Sequence, residues 1–161
     1  MSDLLKLAEQ SAKAKDYEAA EKHCLAHLAT SPDDLKALRY LAFVHSLGNK
    51  YADAVGVVSR VIDLSDDKVE PADCFNRGRW NLQLRRFAEA AGDFSEAERL
   101  CERYGDNYYL ESACLLEAAA FVQMGQISDA KRALLKVSDE CQAFAMGRLF
   151  SKQSLTNEIN A

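Results

Sequence analysis

Tyr51-Ala52-Asp53-Ala54 repeats the arrangement of Tyr17-Glu18-Ala19-Ala20, 34 residues earlier: an aromatic residue, then an alanine three positions on. The pattern returns at Phe87/Ala90 after 36 residues and, with a β-branched residue leading, at Ile127/Ala130 after a further 40. A period near 34 residues with this pairing marks stacked helical hairpins, and it sets the fold class and the class of function together. Scaffolds of this kind bind other proteins.

Working outward, each pair opens the second helix of a hairpin. The first repeat covers about 1–34: Leu4, Leu7, Ala8 and Ser11 face inward, Lys15-Asp16 makes the turn, and Ala20, Cys24 and Leu28 follow. Ser31-Pro32-Asp33-Asp34 ends that helix and caps the next. The second repeat covers about 35–68, with Leu38, Leu41, Ala42 and His45, a turn at Gly48-Asn49, then Ala54, Val58, Val61 and Ile62. The β-branched run from Val55 to Ile62 suits a strand by propensity, but helical spacing and repeat register outweigh it.

The third repeat runs over 71–104. Gly78 lies inside its first helix at a cost in helix propensity, so a close helix–helix approach is expected there. The fourth covers 108–138, with a turn at Gly125. An apolar stretch after it is expected to form a capping helix over 139–150, because the last repeat has no neighbour to cover it. The polar tail 151–161 is expected to be flexible. The expectation is therefore an all-α solenoid of four hairpins in a single domain over 1–150. Its only prolines, Pro32 and Pro71, sit at helix boundaries.

Composition narrows the function. The chain has 161 residues, is 48% hydrophobic and carries a formal net charge of -5. That balance disfavours nucleic-acid binding, which wants a basic stripe, and suits a basic partner. Neither a secretory signal nor a membrane-spanning apolar run is visible. The five scattered cysteines suit reduced, packed thiols. A cytoplasmic location is expected.

Signs of chemistry are sparse. His23, Cys24 and His27 are the best metal-like set, but the further ligands a site needs are missing. There is no Cys-x-x-Cys pair and no glycine-rich phosphate loop. No enzymatic activity, metal or cofactor is expected.

The repeats resemble the tetratricopeptide repeat family. The first copy matches through Leu7, Ala8, Tyr17, Ala20 and Pro32, and the second through Leu41, Ala42, Tyr51 and Ala54. The third matches through Gly78, Phe87, Ala90, Phe94 and Ala97, and the fourth through Ala118, Phe121 and Ala130. Departures fall at Lys15, His27, Asp66 and Val137. The resemblance implies a concave groove lined by the first helix of each hairpin. Here that means Leu5, Glu9, Ala12 and Lys13, then Arg39, Phe43 and Ser46. Phe75, Arg79, Leu82 and Gln83 continue it, and Leu115, Ala119 and Val122 complete it. The branch of the family that grips a terminal carboxylate carries Lys and Asn where this chain has Leu5 and Glu9, which argues against that use.

A narrower resemblance covers 75–82, 87–94 and 105–113. These segments look like small bacterial tetratricopeptide proteins that accompany secreted polymorphic toxins and serve as immunity proteins. That implies neutralisation of a basic toxin domain by occlusion. The alternatives are a secretion or assembly chaperone holding an extended client in the groove, and a scaffold subunit.

The residues expected to touch a partner are Arg39, Phe43, Phe75, Arg79, Gln83, Tyr108, Tyr109 and Leu115. Aromatics and arginine dominate binding hot spots. Arg77, Arg79, Arg85 and Arg86 form the densest basic cluster, with Glu89 and Asp93 as alternative pairing partners for it. Trp80, beside Gly78, is expected to pack between helices.

Overall fold

The computed structural model describes residues 2–161. Its contacts divide the chain into two compact units, 1–68 and 69–161. The first holds α1 (Asp3–Lys13), α2 (Tyr17–Leu28), α3 (Leu35–Leu47) and α4 (Tyr51–Ser65), closed by a 3-10 turn at Asp66–Lys68. The second holds α5 (Pro71–Gln83), α6 (Phe87–Tyr104), α7 (Leu110–Gln123) and α8 (Ile127–Leu134). Strands β1 (Gln142–Ala145) and β2 (Arg148–Ser151) and a last helix, α9 (Lys152–Ile159), follow.

The aromatic/alanine pairs do open the second helix of every hairpin, and the backbone shows why the register recurs. Two residues before each pair stands a left-handed residue: Lys15 (φ 63°), Asn49 (φ 59°), Arg85 (φ 58°) and Gly125 (φ 71°). Each such turn closes with a hydrogen bond reaching back five residues. These run from Asp16 N to Ser11 O (2.9 Å), Lys50 N to His45 O (2.8 Å), Arg86 N to Asn81 O and Gln126 N to Phe121 O (both 2.9 Å). This is the six-to-one bond of a Schellman ending, and it satisfies carbonyls that the helix end leaves open.

Asp34 caps α3 as expected, its Oδ1 accepting from the amides of Lys36 (3.0 Å) and Ala37 (3.1 Å). In the first unit Leu5, Ala8, Ala20, Cys24, Leu41 and Val44 form the core between α1, α2 and α3. Tyr17 and Tyr40 lean on its edge.

In the second unit the close approach at Gly78 is real. A Cβ there would lie 2.9 Å from Phe94 Cε1 and 3.1 Å from Asp93 Cβ. Trp80 is buried, as expected of a packing residue. Arg77 pairs with Asp93 at 2.7 Å, and Asn81 Nδ2 donates to the other carboxylate oxygen at 2.9 Å. Burial pushes the Asp93 carboxyl up, and the bonds from Arg77 and Asn81 oppose that. This pairing takes Arg77 out of the exposed basic cluster.

The carboxy-terminal end departs from expectation. The segment 139–150 is not a capping helix: Gln142–Ala145 and Arg148–Ser151 pair as an antiparallel hairpin, with Phe144 opposite Leu149. Met146 (φ 52°) and Gly147 (φ 73°) form its two-residue loop. Two successive left-handed residues match the strand twist and break any helix. Nor is 151–161 a loose tail. Ser151 caps α9, exchanging hydrogen bonds with Ser154 (3.0 and 3.1 Å), and Leu155 is fully buried. The stack is capped by a hairpin and a helix together. They cover the last repeat because Ala145, Phe150 and Leu155 supply the apolar face that it lacks.

Candidate partner-binding surfaces

In the first unit, α1 and α3 leave a groove of about 370 Å³ between them. Leu5 and Glu9 line it from α1, and Lys36, Arg39, Tyr40 and Phe43 from α3. The α3 residues recur at three- and four-residue intervals, which puts them on one face. Leu5 is buried at the floor, whereas Phe43 is 49% exposed. Tyr40 props the Phe43 ring, with centroids 6.2 Å apart and planes tilted by 44°. Burial raises the Tyr40 hydroxyl pKa, so this phenol stays neutral and presents a mostly apolar ring.

The charges sit on the rim. Glu9 accepts from Lys13 Nζ at 2.8 Å, and that bond holds its carboxyl below the usual range. Arg39 and Phe43, both expected at a partner contact, line this groove. Lys36 and Tyr40 were missed, although they precede Arg39 and Phe43 by three residues each and share their face.

The second unit places its expected residues less uniformly. Phe75 is buried, wedged between Phe94 (5.8 Å) and Tyr109 (4.8 Å). It forms a floor and is not a contact surface. Arg79 spans from the Phe75 ring, 5.9 Å away, to the Phe144 carbonyl at 3.4 Å, and so ties α5 to the hairpin. Gln83 is half-buried, one turn beyond Arg79 on α5. Tyr109 is half-buried and stacks edge-on against Tyr108 at 4.8 Å, while Tyr108 is 81% exposed. Asp106 turns the chain there by accepting from the Tyr108 amide (3.0 Å), and it does not cap the helix itself.

Leu115 is a correction. It is fully buried, because α7 is enclosed by α6, α8, α9 and both strands. α7 is mostly apolar along its length, as suits a helix packed on several sides, and the hairpin and α9 are among the elements packed against it. Leu82 and Ala119 are fully buried as well. Sequence reading missed Phe144 and Leu149, an exposed cross-strand pair on the hairpin. A Gly at the second loop position between two short apolar runs was the available signal.

The metal-like histidine has structural work. His27 donates through Nε2 to Asp34 Oδ2 (2.8 Å) and pairs through Nδ1 with the Ser2 hydroxyl (3.0 Å). It thereby links the starts of α1 and α3 to the end of α2. Among the described residues, no group of three or more His, Cys, Asp or Glu is placed to hold a metal ion. All five cysteines are free. Burial pushes the thiols of Cys74 and Cys114 up to about 12 and that of Cys24 to about 11. Such thiols are poor nucleophiles. No helix of the described residues is long and apolar enough to cross a membrane.

No protein-family model matches the chain, and no curated protein does. Solved structures do. MamA protein aligns at a TM-score of 0.72 with 16% identity, over 83% of this chain and 68% of that one. MamA 41-end from Desulfovibrio magneticus RS-1 aligns at 0.69 with 18% identity, over 84% and 75%. A Podosopora anserina structure, described as nearly identical TPR-like repeats of a kinesin light chain, aligns at 0.67 with 14% identity, over 82% and 70%. At these identities the likeness speaks for the fold alone: this chain is built as tetratricopeptide-type helical hairpins.

Proposed function

We propose that the chain is a non-enzymatic protein-binding module of the cytoplasm, and that the groove between α1 and α3 is its principal contact surface. The observation that carries this reading is Phe43. It is a large aromatic left half-exposed over an apolar floor, propped by Tyr40, on the helix face that the repeat pattern assigns to ligand contact. Covering that ring and the walls around it is worth on the order of 2 kcal/mol. An aromatic so placed is the usual anchor of a binding hot spot.

A groove of this size suits an extended segment or a protruding loop. The geometry therefore favours a chaperone or adaptor that holds a client segment. In toxin immunity, the narrower reading from the sequence, the groove or the acidic outer helices would cover a basic toxin domain.

Affinity capture from the native lysate, run in parallel with wild type and Phe43→Asp, tests the reading once the captured protein is purified and rebound directly. Direct binding by wild type that is lost in the variant supports the groove. A partner held equally by both would move the interface elsewhere. A folded secreted-toxin domain as that partner would restore the immunity reading.

A further inference from the structure

We propose that the chain associates with further copies of itself head to tail, the free face of α1 in one copy seating in a groove between α8 and α9 of the next. These surfaces are distinct from the α1/α3 groove, so self-association and client binding stand or fall separately.

The repeat supplies the comparison. Leu38 and Leu41 on α3 stand 34 residues after Leu4 and Leu7 on α1. Residues three apart share a helix face. Leu38 and Leu41 are buried, at 2% and 3% exposure, and Leu41 belongs to the core where α3 closes over α2. Leu7, by contrast, is 43% exposed, and Leu4 is half-buried. The same side chains are core in the second hairpin and surface in the first, because among the described residues no earlier hairpin precedes α1.

The last hairpin offers what α1 lacks. Its second helix, α8, is the counterpart of α2. Phe150 and Leu155 bring the carboxy-terminal hairpin and α9 into the core, but a groove of about 400 Å³ stays open between α8 and α9. Lys131, Leu134 and Leu135 line it from α8 and its end, and Lys152, Thr156 and Ile159 from α9. Leu135, at 82%, is the most exposed large apolar side chain among the described residues. The contact of α3 on α2 is a first helix packed on the second helix of the hairpin before it. Seating α1 on α8 of the next copy repeats that contact and covers Leu7 and Leu135 together.

Charge agrees in sign. Asp3 shares the Leu7 face, four residues ahead of it. It is held by Lys6 in an exposed pair of the kind that contributes little. Lys131, on the rim of the α8/α9 groove, makes no ion pair among the described residues. Two different patches make a heterologous contact, which each copy can both offer and accept.

The test is analytical ultracentrifugation of the full chain up to about 1 mM, alongside Leu7→Glu, Leu135→Glu and Phe43→Ala. Leu7 and Leu135 are exposed, and circular dichroism checks that each variant folds. Wild type and Phe43→Ala are expected to gain mass with concentration, and each glutamate variant alone to associate at least about tenfold more weakly. An equimolar mixture of the two glutamate variants is expected to form a dimer, since each retains the patch that the other has lost. A wild type that stays monomeric throughout, or a mixture that does, would overturn the proposal. Leu135→Glu that still associates while Leu7→Glu does not would assign α1 to a two-fold contact with itself, and would overturn it as well. Association lost in Phe43→Ala would move the second copy into the α1/α3 groove, with the same consequence.

Discussion

Gly78 on α5 meets Phe94 on α6 so closely that a single added methyl would stand 2.9 Å from the ring. Phe94 is fully buried, and Phe75 presses on it from its own helix. The ring has nowhere to go. Gly78→Ala gains helix propensity but forces the helices apart, and overpacking of this kind costs about 1–3 kcal/mol. Urea unfolding should show a lower midpoint for the variant. An unchanged or raised midpoint would mean that α5 and α6 separate at little cost.

Glu117 on α7 makes the stability of the second unit depend on pH near neutrality. Its carboxyl is pushed up to about 7, first by burial and then by the Glu98 charge, with Lys136 and Arg132 opposing. Glu98 is itself buried and paired with Lys136, and Arg132 is paired with Asp129 at 2.8 Å. A carboxyl whose folded pKa exceeds its unfolded value binds its proton more tightly when folded. Its contribution is whole below the ordinary carboxylate range and is lost as pH rises through about 7. With allowance for solvent screening of a partly exposed group, the loss between pH 5 and pH 8 is about 1–2 kcal/mol. Glu117→Gln should flatten this slope, measured as melting temperature against pH. A slope that persists in the variant would assign the titration to another group.

The four left-handed turn residues differ in what they cost. Arg85 and Lys15 bear side chains in a conformation that suits glycine, while Gly125 fills the equivalent place without strain. Arg85→Gly should stabilise by about 0.5–1 kcal/mol, and Gly125→Ala should destabilise by about 1 kcal/mol. Thermal melts of the two variants should shift in opposite directions. A shared direction would show that the side chains, and not the backbone, decide these turns.

Phe150 tests whether the carboxy-terminal hairpin is part of the core. It is fully buried on β2, with the Arg148 guanidinium 4.1 Å above its ring and Arg148 paired to Glu158 of α9 at 2.9 Å. Phe150→Ala should cost about 3–5 kcal/mol. Hydrogen exchange should show lost protection in α7 and α9 before α1–α4. A surface-like cost below about 0.5 kcal/mol would mean that the hairpin packs only loosely.

The repeat itself was legible because every part of its signal is local. Tyr17, Tyr51, Phe87 and Ile127 each follow a turn by two residues, and the caps and turns are settled within five residues of chain. Gly78 was legible for the same reason, since a glycine inside a strong helix needs a steric cause. Arg39 and Phe43 followed from the periodicity of one helix.

Leu115 and the hairpin were not legible, and the two failures share one cause. Ala143 and Ala145 have little strand propensity, so the stretch reads as helix until Met146-Gly147 is seen to force a reversal. Only then does Phe150 acquire a direction, and with it α9 a partner. Leu115 carries the right spacing for a groove residue, but spacing cannot say what lies above it. By itself the sequence determined the helices, their turns and their repeat, because hydrogen bonds and side-chain periodicity act over a few residues. The tertiary structure decided which of the matching faces stayed open, because burial depends on segments that meet only after the chain has folded back on itself.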